Sequence, residues 1–296
     1  MSETIREYRV LGRLGKGGMA TVYLAEHTHL KTRVALKVLN EEYSENQSIR
    51  ERFLNEAKLL GNLRHRNIVH LNEFFQENGR FVLIMEFVDG RSLDEMIGKE
   101  IGPVPVEKAI PLFTQVLDGI SYAHEKGILH RDIKPANILV SKTGEVKIAD
   151  LGIAKVAGSK GMTKTGTKIG TVYYMSPEQV KGEKADYRSD IYSLGMTLYE
   201  TLAGRLPFDD ESETSEFEIM GKIVKGELPD PREFYPHIPE WAVNAVRQAT
   251  STNPEDRFQN CDYFNDYLKE HSRYGTESSY WKTQVASLGS RELKQT

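Results

Sequence analysis

The sequence predicts an α+β protein of two lobes, a smaller strand-rich lobe followed by a larger, mainly helical one. The chain has 296 residues, more than one typical compact core requires. Strand patterns recur up to Val88, and Asp89-Gly90 then interrupts them. Beyond that point helical periodicity prevails. We therefore expect the boundary between the two lobes close to Val88.

The overall composition is that of a globular protein and excludes several functional classes. The hydrophobic share is 39%, the charged share 28% and the net charge −4, which gives no reason to expect nucleic acid as a partner. The sequence has no apolar run of membrane-spanning length and no signal-peptide core. The single cysteine, Cys261, excludes an internal disulfide and fits a reducing compartment. A cytoplasmic location is predicted, either alone or as part of a larger or membrane-anchored protein.

A glycine-rich turn joins the first two predicted strands, Tyr8–Leu14 and Ala20–Glu26. Its residues are Gly15-Lys16-Gly17-Gly18-Met19. Three glycines leave the backbone free to adopt positive φ and to approach a ligand closely. Taken alone, the turn is equally well interpreted as an ordinary hairpin.

The next strand, Arg33–Leu39, carries a small residue and a lysine on one face. Alternation places Ala35 beside Lys37, which suits an adenine ring on Ala35 and phosphates near Lys37. The alternative is a lysine at an exposed strand edge. Glu56 lies on the apolar stripe of a predicted helix, Ile49–Leu63, where an unpaired charge would be costly. Lys37 is its candidate partner.

The stretch from His130 to Asn137 combines polar density with a proline, Pro135, and therefore predicts a loop. The loop carries an acid, a lysine and an amide within six residues: Asp132, Lys134 and Asn137. Such groups can orient a hydroxyl, neutralise a moving phosphate and hold a metal ion. The loop is therefore the central candidate site.

A short predicted hairpin follows this loop, with strands at Ile138–Val140 and Val146–Ile148. Asp150, in Asp150-Leu151-Gly152, comes directly after the second strand. The hairpin would bring Asn137 and Asp150 close together, so that both oxygens could bind one Mg²⁺. Neither residue alone would support that prediction, because Asp-Leu-Gly is usually a tight turn.

Six dispersed motifs occur in a fixed order along the chain. They are Gly15–Val22, Val34-Ala35-Leu36-Lys37, Glu56, His130–Asn137, Asp150-Leu151-Gly152 and Ser176-Pro177-Glu178. Together they resemble the protein kinase family, Ser/Thr type, and are most similar to the bacterial eukaryotic-like kinases. The resemblance covers about residues 8–270. Ala20, Leu151 and Ser176 depart from the family's motifs, but none of these changes removes a reacting group.

The resemblance implies a bilobal kinase fold. Its N-lobe, about residues 8–88, would hold a small antiparallel sheet and one main helix. Its C-lobe, about 91–271, would be larger and mainly helical. The kinase domain would thus span 8–271, followed by a polar tail or linker at 272–296.

The resemblance also implies a role for each motif residue. The backbone of Gly15, Lys16, Gly17 and Gly18 would cover the ATP phosphates, and Lys37, paired with Glu56, would hold the α- and β-phosphates. Asp132 would accept the proton of the substrate hydroxyl, and Lys134 would lie against the γ-phosphate. Asn137 and Asp150 would hold the metal, Mg²⁺ with Mn²⁺ as an alternative. The adenine would contact the side chains and hinge residues Val22, Ala35, Met85, Glu86, Val88 and Leu139.

Regulation and substrate choice are inferred from the segment between Asp150 and Glu178. The resemblance implies that Lys134 and Thr171 favour Ser/Thr over Tyr substrates, with Thr171 contacting Asp132 and Lys134. It also implies that Arg131 is the receptor for a phosphorylated loop. The predicted autophosphorylation sites are Thr163 and Thr165, followed by Thr167. The alternative is an unmodified polar loop.

Other residues are assigned structural roles. Glu178 is expected to pair with Arg257, and Asp190 to cap and anchor the apolar helix Ile191–Leu202. His130 is interpreted as a packing residue rather than a base. The acidic stretch at 209–218 is interpreted as a solvated loop and helix start, with a rim for basic peptides as the alternative.

Three alternative functions fit parts of the sequence less well. A pseudokinase would lack Lys37, Asp132 or Asp150, and all three are present. A small-molecule kinase is disfavoured by the long segment that ends in Ser-Pro-Glu. A dinucleotide-binding oxidoreductase fails because no parallel βαβ unit follows the glycines. The expected partners are ATP, protein substrates and a second copy of the chain for autophosphorylation, with no nucleic acid and no membrane span.

Overall fold

The computed structural model describes residues 4–77, 79–150, 169–208 and 215–272, with the backbone alone for 100, 101 and 169–171. The described part of the chain divides after Val88 into two compact units. Within these described residues, no helix is both long and apolar enough to cross a membrane.

The first unit is built on a six-stranded antiparallel sheet in the order β1-β2-β3-β4-β6-β5. Its strands are β1 (Thr4–Ile5), β2 (Tyr8–Lys16), β3 (Ala20–His27), β4 (Arg33–Leu39), β5 (Leu71–Glu77) and β6 (Arg80–Glu86). β4 pairs with β3 on one side and with β6 on the other. Lys37 therefore lies in the interior of the sheet, and the alternative of an exposed strand edge is wrong.

The faces of β4 follow the predicted alternation. Val34, Leu36 and Val38 pack in an apolar cluster with residues of the neighbouring strands. Ala35 and Lys37 occupy the opposite face. Helix α1 (Gln47–Gly61) contains Glu56 among its buried residues, and Asn46 caps its first turn by accepting a hydrogen bond from the Ile49 N–H at 3.1 Å.

The second unit is mainly helical. Its helices are α2 (Leu93–Glu95), α3 (Val106–Glu125), α4 (Pro177–Val180), α5 (Tyr187–Ala203), α6 (Glu216–Lys225), α7 (Glu240–Ala249) and α8 (Cys261–His271). A π-helical turn at Met96–Ile101 and short 3-10 turns connect some of them. One apolar core joins residues of α3, α5, α7 and α8, for example Phe113, Leu198, Val246 and Phe264.

A three-stranded antiparallel sheet in the same unit supports the candidate loop. Its strands are β7 (Gly90–Ser92), β8 (Ile138–Ser141) and β9 (Val146–Ile148). The predicted hairpin is therefore confirmed, with Ile138 opposite Ile148 and its turn completed by Gly144 at φ +80°. The hairpin brings together Asn137, which precedes β8, and Asp150, which follows β9.

Helix α5 begins differently from the prediction. Asp186, not Asp190, is its N-cap, because the Asp186 side chain accepts a hydrogen bond from the Arg188 N–H at 2.8 Å. Asp190 lies inside the first turn, so the prediction that it caps the helix was wrong. The prediction that it anchors the helix beneath the candidate loop was correct, as shown below.

Candidate active site

The first cluster of the site is the predicted pair of Lys37 and Glu56. Lys37 Nζ lies 2.6 Å from Glu56 Oε1, and the side chains are only 8% and 4% exposed. Two opposite charges in a buried environment stabilise each other, whereas either one alone would be costly. The structure therefore presents a fixed ammonium group on the same strand face as Ala35.

The glycine-rich turn lies at the predicted position, between β2 and β3. The Gly17 N–H donates to the Ala20 carbonyl at 2.9 Å. None of Gly15, Gly17 and Gly18 adopts a positive φ, so the turn does not use that conformational freedom of its glycines. A Cβ atom added at Gly15 or Gly18 would meet no atom within 4 Å. The absence of side chains therefore leaves space beside the turn rather than permitting an unusual backbone.

The residues predicted to contact adenine are distributed over both units. In the first unit, Ala35 on β4 is opposite Met85 on β6, and both are buried. The Glu86 N–H donates to the His70 carbonyl at 3.0 Å, so a role in adenine binding would fall to the Glu86 carbonyl oxygen. In the second unit, Leu139 lies on β8, opposite Lys147.

The predicted loop brings its acid, lysine and amide together. Lys134 Nζ lies 2.9 Å from Asp132 Oδ2. Asn137 Nδ2 donates to the Asp132 main-chain oxygen at 2.8 Å and to Asp132 Oδ2 at 3.1 Å. A carboxylate that receives hydrogen bonds from two sides has a restricted rotamer, so the Asp132 side chain is held in a defined orientation.

Backbone strain accompanies this arrangement. Arg131, immediately before Asp132, has φ +63°, and Asp150 has φ +50°. Left-handed backbone in residues other than glycine persists only where the surroundings enforce it. At Arg131 the restraint comes from Asp190, which accepts from the N–H groups of His130 and Arg131, each at 2.8 Å.

His130 does not have the properties of a base. Its side chain is buried, and its Nδ1 accepts a hydrogen bond from the Asp132 N–H at 3.3 Å. Burial lowers the pKa of His130, although the nearby carboxylates of Asp190 and Asp132 act in the opposite direction. The imidazole is therefore neutral and serves the loop structurally, as the sequence predicted.

The donors predicted for a metal ion fit Mg²⁺ by their chemistry. The Ala149 N–H donates to the Asn137 carbonyl at 2.8 Å, which ties the backbone next to Asp150 to that of Asn137. Asn137 donates from Nδ2 to Asp132, so the oxygen of the Asn137 side chain is the atom that could bind a metal ion. A carboxylate and an amide oxygen are hard donors of the type that Mg²⁺ prefers. Among the described residues, no group of three or more His, Cys, Asp or Glu side chains forms a metal site.

The pair of Glu178 and Arg257 is confirmed. Arg257 donates from Nη1 and Nη2 to the two carboxylate oxygens of Glu178, each at 2.8 Å, and Ser189 Oγ donates to Glu178 Oε1 at 2.6 Å. Burial opposes ionisation of Glu178, but the hydrogen bonds from Arg257 and Ser189 outweigh it and lower the pKa of Glu178 to about 2. This ion pair fixes the segment that precedes α5.

Several predicted positions lie outside the described residues. They are the proposed phosphorylation sites Thr163, Thr165 and Thr167, the acidic positions 209–214, and the tail from 273 onward. Thr171 is described by its backbone alone, in a 3-10 turn at Ile169–Tyr174. Of the acidic stretch, Glu218 is described in a capping box with Ser215 at the start of α6, as expected of a helix start.

Comparisons with known proteins identify the class to which the fold and these residues belong. The sequence model of the protein kinase domain family matches residues 8–268 of this chain. The chain therefore belongs to the protein kinase family and has its bilobal fold. The crystal structure of the PknI kinase domain of Mycobacterium tuberculosis is similar, with a TM-score of 0.69, 29% identity, and coverage of 91% of this chain and 97% of that one.

Curated bacterial relatives are more similar in sequence. The serine/threonine-protein kinase PrkC of Bacillus subtilis is 38% identical over 86% of this chain and 39% of its own length. A probable serine/threonine-protein kinase of Lactococcus lactis, PknB, is 38% identical over 85% of this chain and 40% of its own. The chain thus spans about two fifths of the length of these relatives.

The sequence reasoning missed one residue next to the site, His124. Its Nε2 lies 2.8 Å from Asp190 Oδ2, and its side chain is 12% exposed. A usable signal was present, because Phe113, Leu117, Ile120 and His124 follow one helical stripe. The rule that singled out Glu56, a polar residue on a core-facing stripe, applies equally to His124.

Proposed function

We propose that the chain transfers the γ-phosphoryl group of ATP to serine and threonine hydroxyls of proteins. The observation that carries the proposal is the unit formed by Asp132, Lys134 and Asn137, in which one carboxylate is held by an ammonium and an amide. The names of the curated relatives support the same reaction and the same acceptor residues. The presence of Lys37, Asp132 and Asp150 argues for an active enzyme rather than a pseudokinase.

In this proposal the first unit binds the nucleotide. Lys37 holds the α- and β-phosphates, and Glu56 keeps the ammonium group in place. The backbone of Gly15 to Gly18 covers the phosphates, because the three glycines in this stretch have no side chains to obstruct their approach. Val22, Ala35, Met85 and the main chain of Glu86 and Val88 contact the adenine, together with Leu139 of the second unit.

The second unit supplies the groups for phosphoryl transfer. Asp132 orients the substrate hydroxyl and accepts its proton, and Lys134 neutralises charge on the γ-phosphate. The transition state is largely dissociative, so orientation and charge matter more than the strength of the base. The hydrogen bonds that hold Asp132 are therefore directly relevant to the rate.

Asn137 and Asp150 would hold a divalent metal ion, Mg²⁺ or alternatively Mn²⁺. Such an ion neutralises charge on the phosphate oxygens when it is bound. The protein's own part is to present two hard oxygen donors from the two ends of one hairpin, whose register pairs Ile138 with Ile148 and so brings these ends together. Waters and phosphate oxygens would complete the coordination.

Autophosphorylation at Thr163 or Thr165, and less readily at Thr167, is the proposed control of activity. A phosphothreonine adds charge that Arg131 can bind, which would order the segment. Thr171 is proposed to contact Asp132 and Lys134 instead. Mass spectrometry after incubation with ATP and Mg²⁺ tests this, and the absence of phosphate between residues 151 and 168 would contradict it.

We further propose that the kinase domain spans residues 8–271. Its proposed location is the cytoplasm, and its proposed role is in signalling. The direct test of the proposed reaction is a radiolabelled ATP assay with a generic protein substrate, followed by phosphoamino acid analysis. Label on serine or threonine is expected for the wild type, with a large loss for Lys37→Met. Label on tyrosine alone, or no label, would contradict the proposal.

A further inference from the structure

Asn40 lies directly after strand β4 and makes three hydrogen bonds to the glycine-rich turn and the start of β3. Its main-chain N–H donates to the Met19 carbonyl at 2.9 Å. Its Oδ1 accepts a hydrogen bond from the Thr21 hydroxyl at 2.8 Å, and its Nδ2 donates to the Gly18 carbonyl over a longer 3.4 Å. A single residue thus holds the second half of the turn from both its main chain and its side chain.

Local sequence does not account for this orientation of the Asn40 side chain. Asn40 also begins the 3-10 turn Glu41–Tyr43, and an asparagine at the start of a helical turn commonly caps it. Every residue of that 3-10 turn is described, and the Asn40 side chain makes no capping hydrogen bond to it. The amide bonds the glycine-rich turn instead.

The Thr21 hydroxyl is the buried partner of this amide. Thr21 lies opposite Val38 in the register of β3 and β4 and is 7% exposed. Because the Asn40 Nδ2 faces a carbonyl oxygen, Oδ1 is the atom that faces Thr21, and the hydroxyl donates. A hydroxyl removed from water is costly unless it is hydrogen-bonded, so the bond to Asn40 fixes the two side chains relative to each other.

These bonds connect the glycine-rich turn to the strand that carries Lys37. That strand, β4, is paired on both sides, with β3 and with β6, and is therefore a firm support. Asn40 follows Lys37 by three positions. The main-chain amides of the turn are thereby held relative to the Lys37 ammonium, and both are assigned to the phosphates of the nucleotide.

We propose that Asn40 is a positioning residue for these phosphates, which acts through Thr21 and Gly18 on the glycine-rich turn. A turn that is already held in place loses less conformational freedom when it closes over a ligand, and this raises the affinity. The inference rests on the proposed function, because it concerns the nucleotide of that reaction. Loss of the Asn40 side chain should therefore weaken the binding of the triphosphate and leave the binding of adenosine unchanged.

Two substitutions at Thr21 separate its hydroxyl from its part in the strand. Thr21→Val keeps the shape of the side chain and removes the hydroxyl, whereas Thr21→Ser keeps the hydroxyl. Strand stability alone would favour valine over serine, so the two explanations predict opposite orders. Asn40→Ala removes both side-chain bonds but keeps the main-chain bond to Met19. Asn62→Ala is the control, because this exposed asparagine of the same unit donates to the Lys58 carbonyl at the end of α1.

The experiment measures the dissociation constants of ATP with Mg²⁺ and of adenosine by calorimetry, with thermal unfolding of each variant. We expect Thr21→Val and Asn40→Ala to weaken ATP binding by roughly fivefold, as for the loss of one ordinary hydrogen bond. Thr21→Ser and Asn62→Ala should stay within about twofold of the wild type, and adenosine should bind to all variants within the same factor. Adding Thr21→Val to Asn40→Ala should cause little further loss, because both remove the same bond.

Wild-type affinity for ATP in Asn40→Ala would overturn the inference, even if Thr21→Val does not fold. Equal losses of ATP and adenosine affinity would overturn it too, because the substitutions would then act on the whole unit. Tighter ATP binding by Thr21→Val than by Thr21→Ser would have the same consequence. If the wild type and Asn62→Ala bind no ATP, the proposed function fails and the inference fails with it. A wild type that binds ATP, with Asn40→Ala alike, refutes the inference alone.

Discussion

The ion pair between Glu178 and Arg257 offers the most quantitative prediction of stability. Both side chains are almost fully removed from water, with 9% exposure for Glu178 and none for Arg257. In Glu178→Gln, the guanidinium would lose its charged partner but keep its bonds to the main-chain oxygens of Ser251 and Arg188. The variant should therefore fold, but with a lower free energy of unfolding.

The magnitude follows from the pKa of Glu178. The value falls from an ordinary 4.5 to about 2 in the folded protein. Such a difference corresponds to about 3 kcal/mol of stability for the ionised form. Because the folded value is the lower one, this stabilisation is fully present above pH 4.5 and is lost as the pH falls towards 2.

The assay is urea unfolding of the wild type and Glu178→Gln between neutral pH and about pH 2.5. We expect the wild type to be about 3 kcal/mol more stable at neutral pH, with a gap that narrows below pH 4.5 because a protonated carboxyl resembles an amide. Glu255→Gln is the control. Its side chain is 71% exposed, and its pair with Arg188 should contribute less than about 1 kcal/mol.

A difference between the wild type and Glu178→Gln that stays constant over this pH range would refute the reasoning. It would mean that the substitution acts through packing and not through the charge of Glu178. An effect of the Glu255→Gln control as large as that of Glu178→Gln would also refute it, because burial would then not be the source of the stabilisation.

Two further predictions concern the other buried features. Lys37→Met should lower the free energy of unfolding by about 3 kcal/mol or more, because it leaves Glu56 buried without Lys37. The double variant Lys37→Met, Glu56→Leu should recover most of this loss. Equal stability of the single and double variants in urea would contradict this prediction. Gly195→Ala should destabilise by about 1–3 kcal/mol, because its Cβ would lie 2.7 Å from the Cβ of Ala249. Gly221→Ala, where a Cβ meets nothing within 4 Å, should be neutral or stabilising, and a similar Tm for both glycine variants would show that the close contact is not the cause.

The contacts that the sequence predicted correctly share a simple physical signal. Glu56 was found because a charge on an apolar helical stripe requires a partner, and Lys37 was found because strand alternation assigns it to one face. The hairpin between Asn137 and Asp150 was found because two short apolar runs flank a turn containing Gly144. In each case local periodicity determines which side chains point inward.

The contacts that were missed depend on tertiary structure. Two aspartates four residues apart, Asp186 and Asp190, both fit the start of α5, and only packing decides which one caps the helix. The left-handed backbone of Arg131 has no local signature, because it is imposed by a carboxylate 59 positions further along the chain. The helical stripe of α3 marks His124 as facing inward, but its partner, Asp190, is 66 positions away and is determined by tertiary structure alone.

We propose that Asp132 is the residue through which this protein kinase domain acts on its substrate hydroxyl. The most direct measurement is the single-turnover rate of phosphoryl transfer by Asp132→Asn, with ATP affinity determined in parallel. We expect ATP affinity to stay within about threefold of the wild type, and the rate to fall by roughly 10²-fold or more, since an amide cannot accept the proton. A near-normal rate with normal ATP binding would contradict the assignment of Asp132.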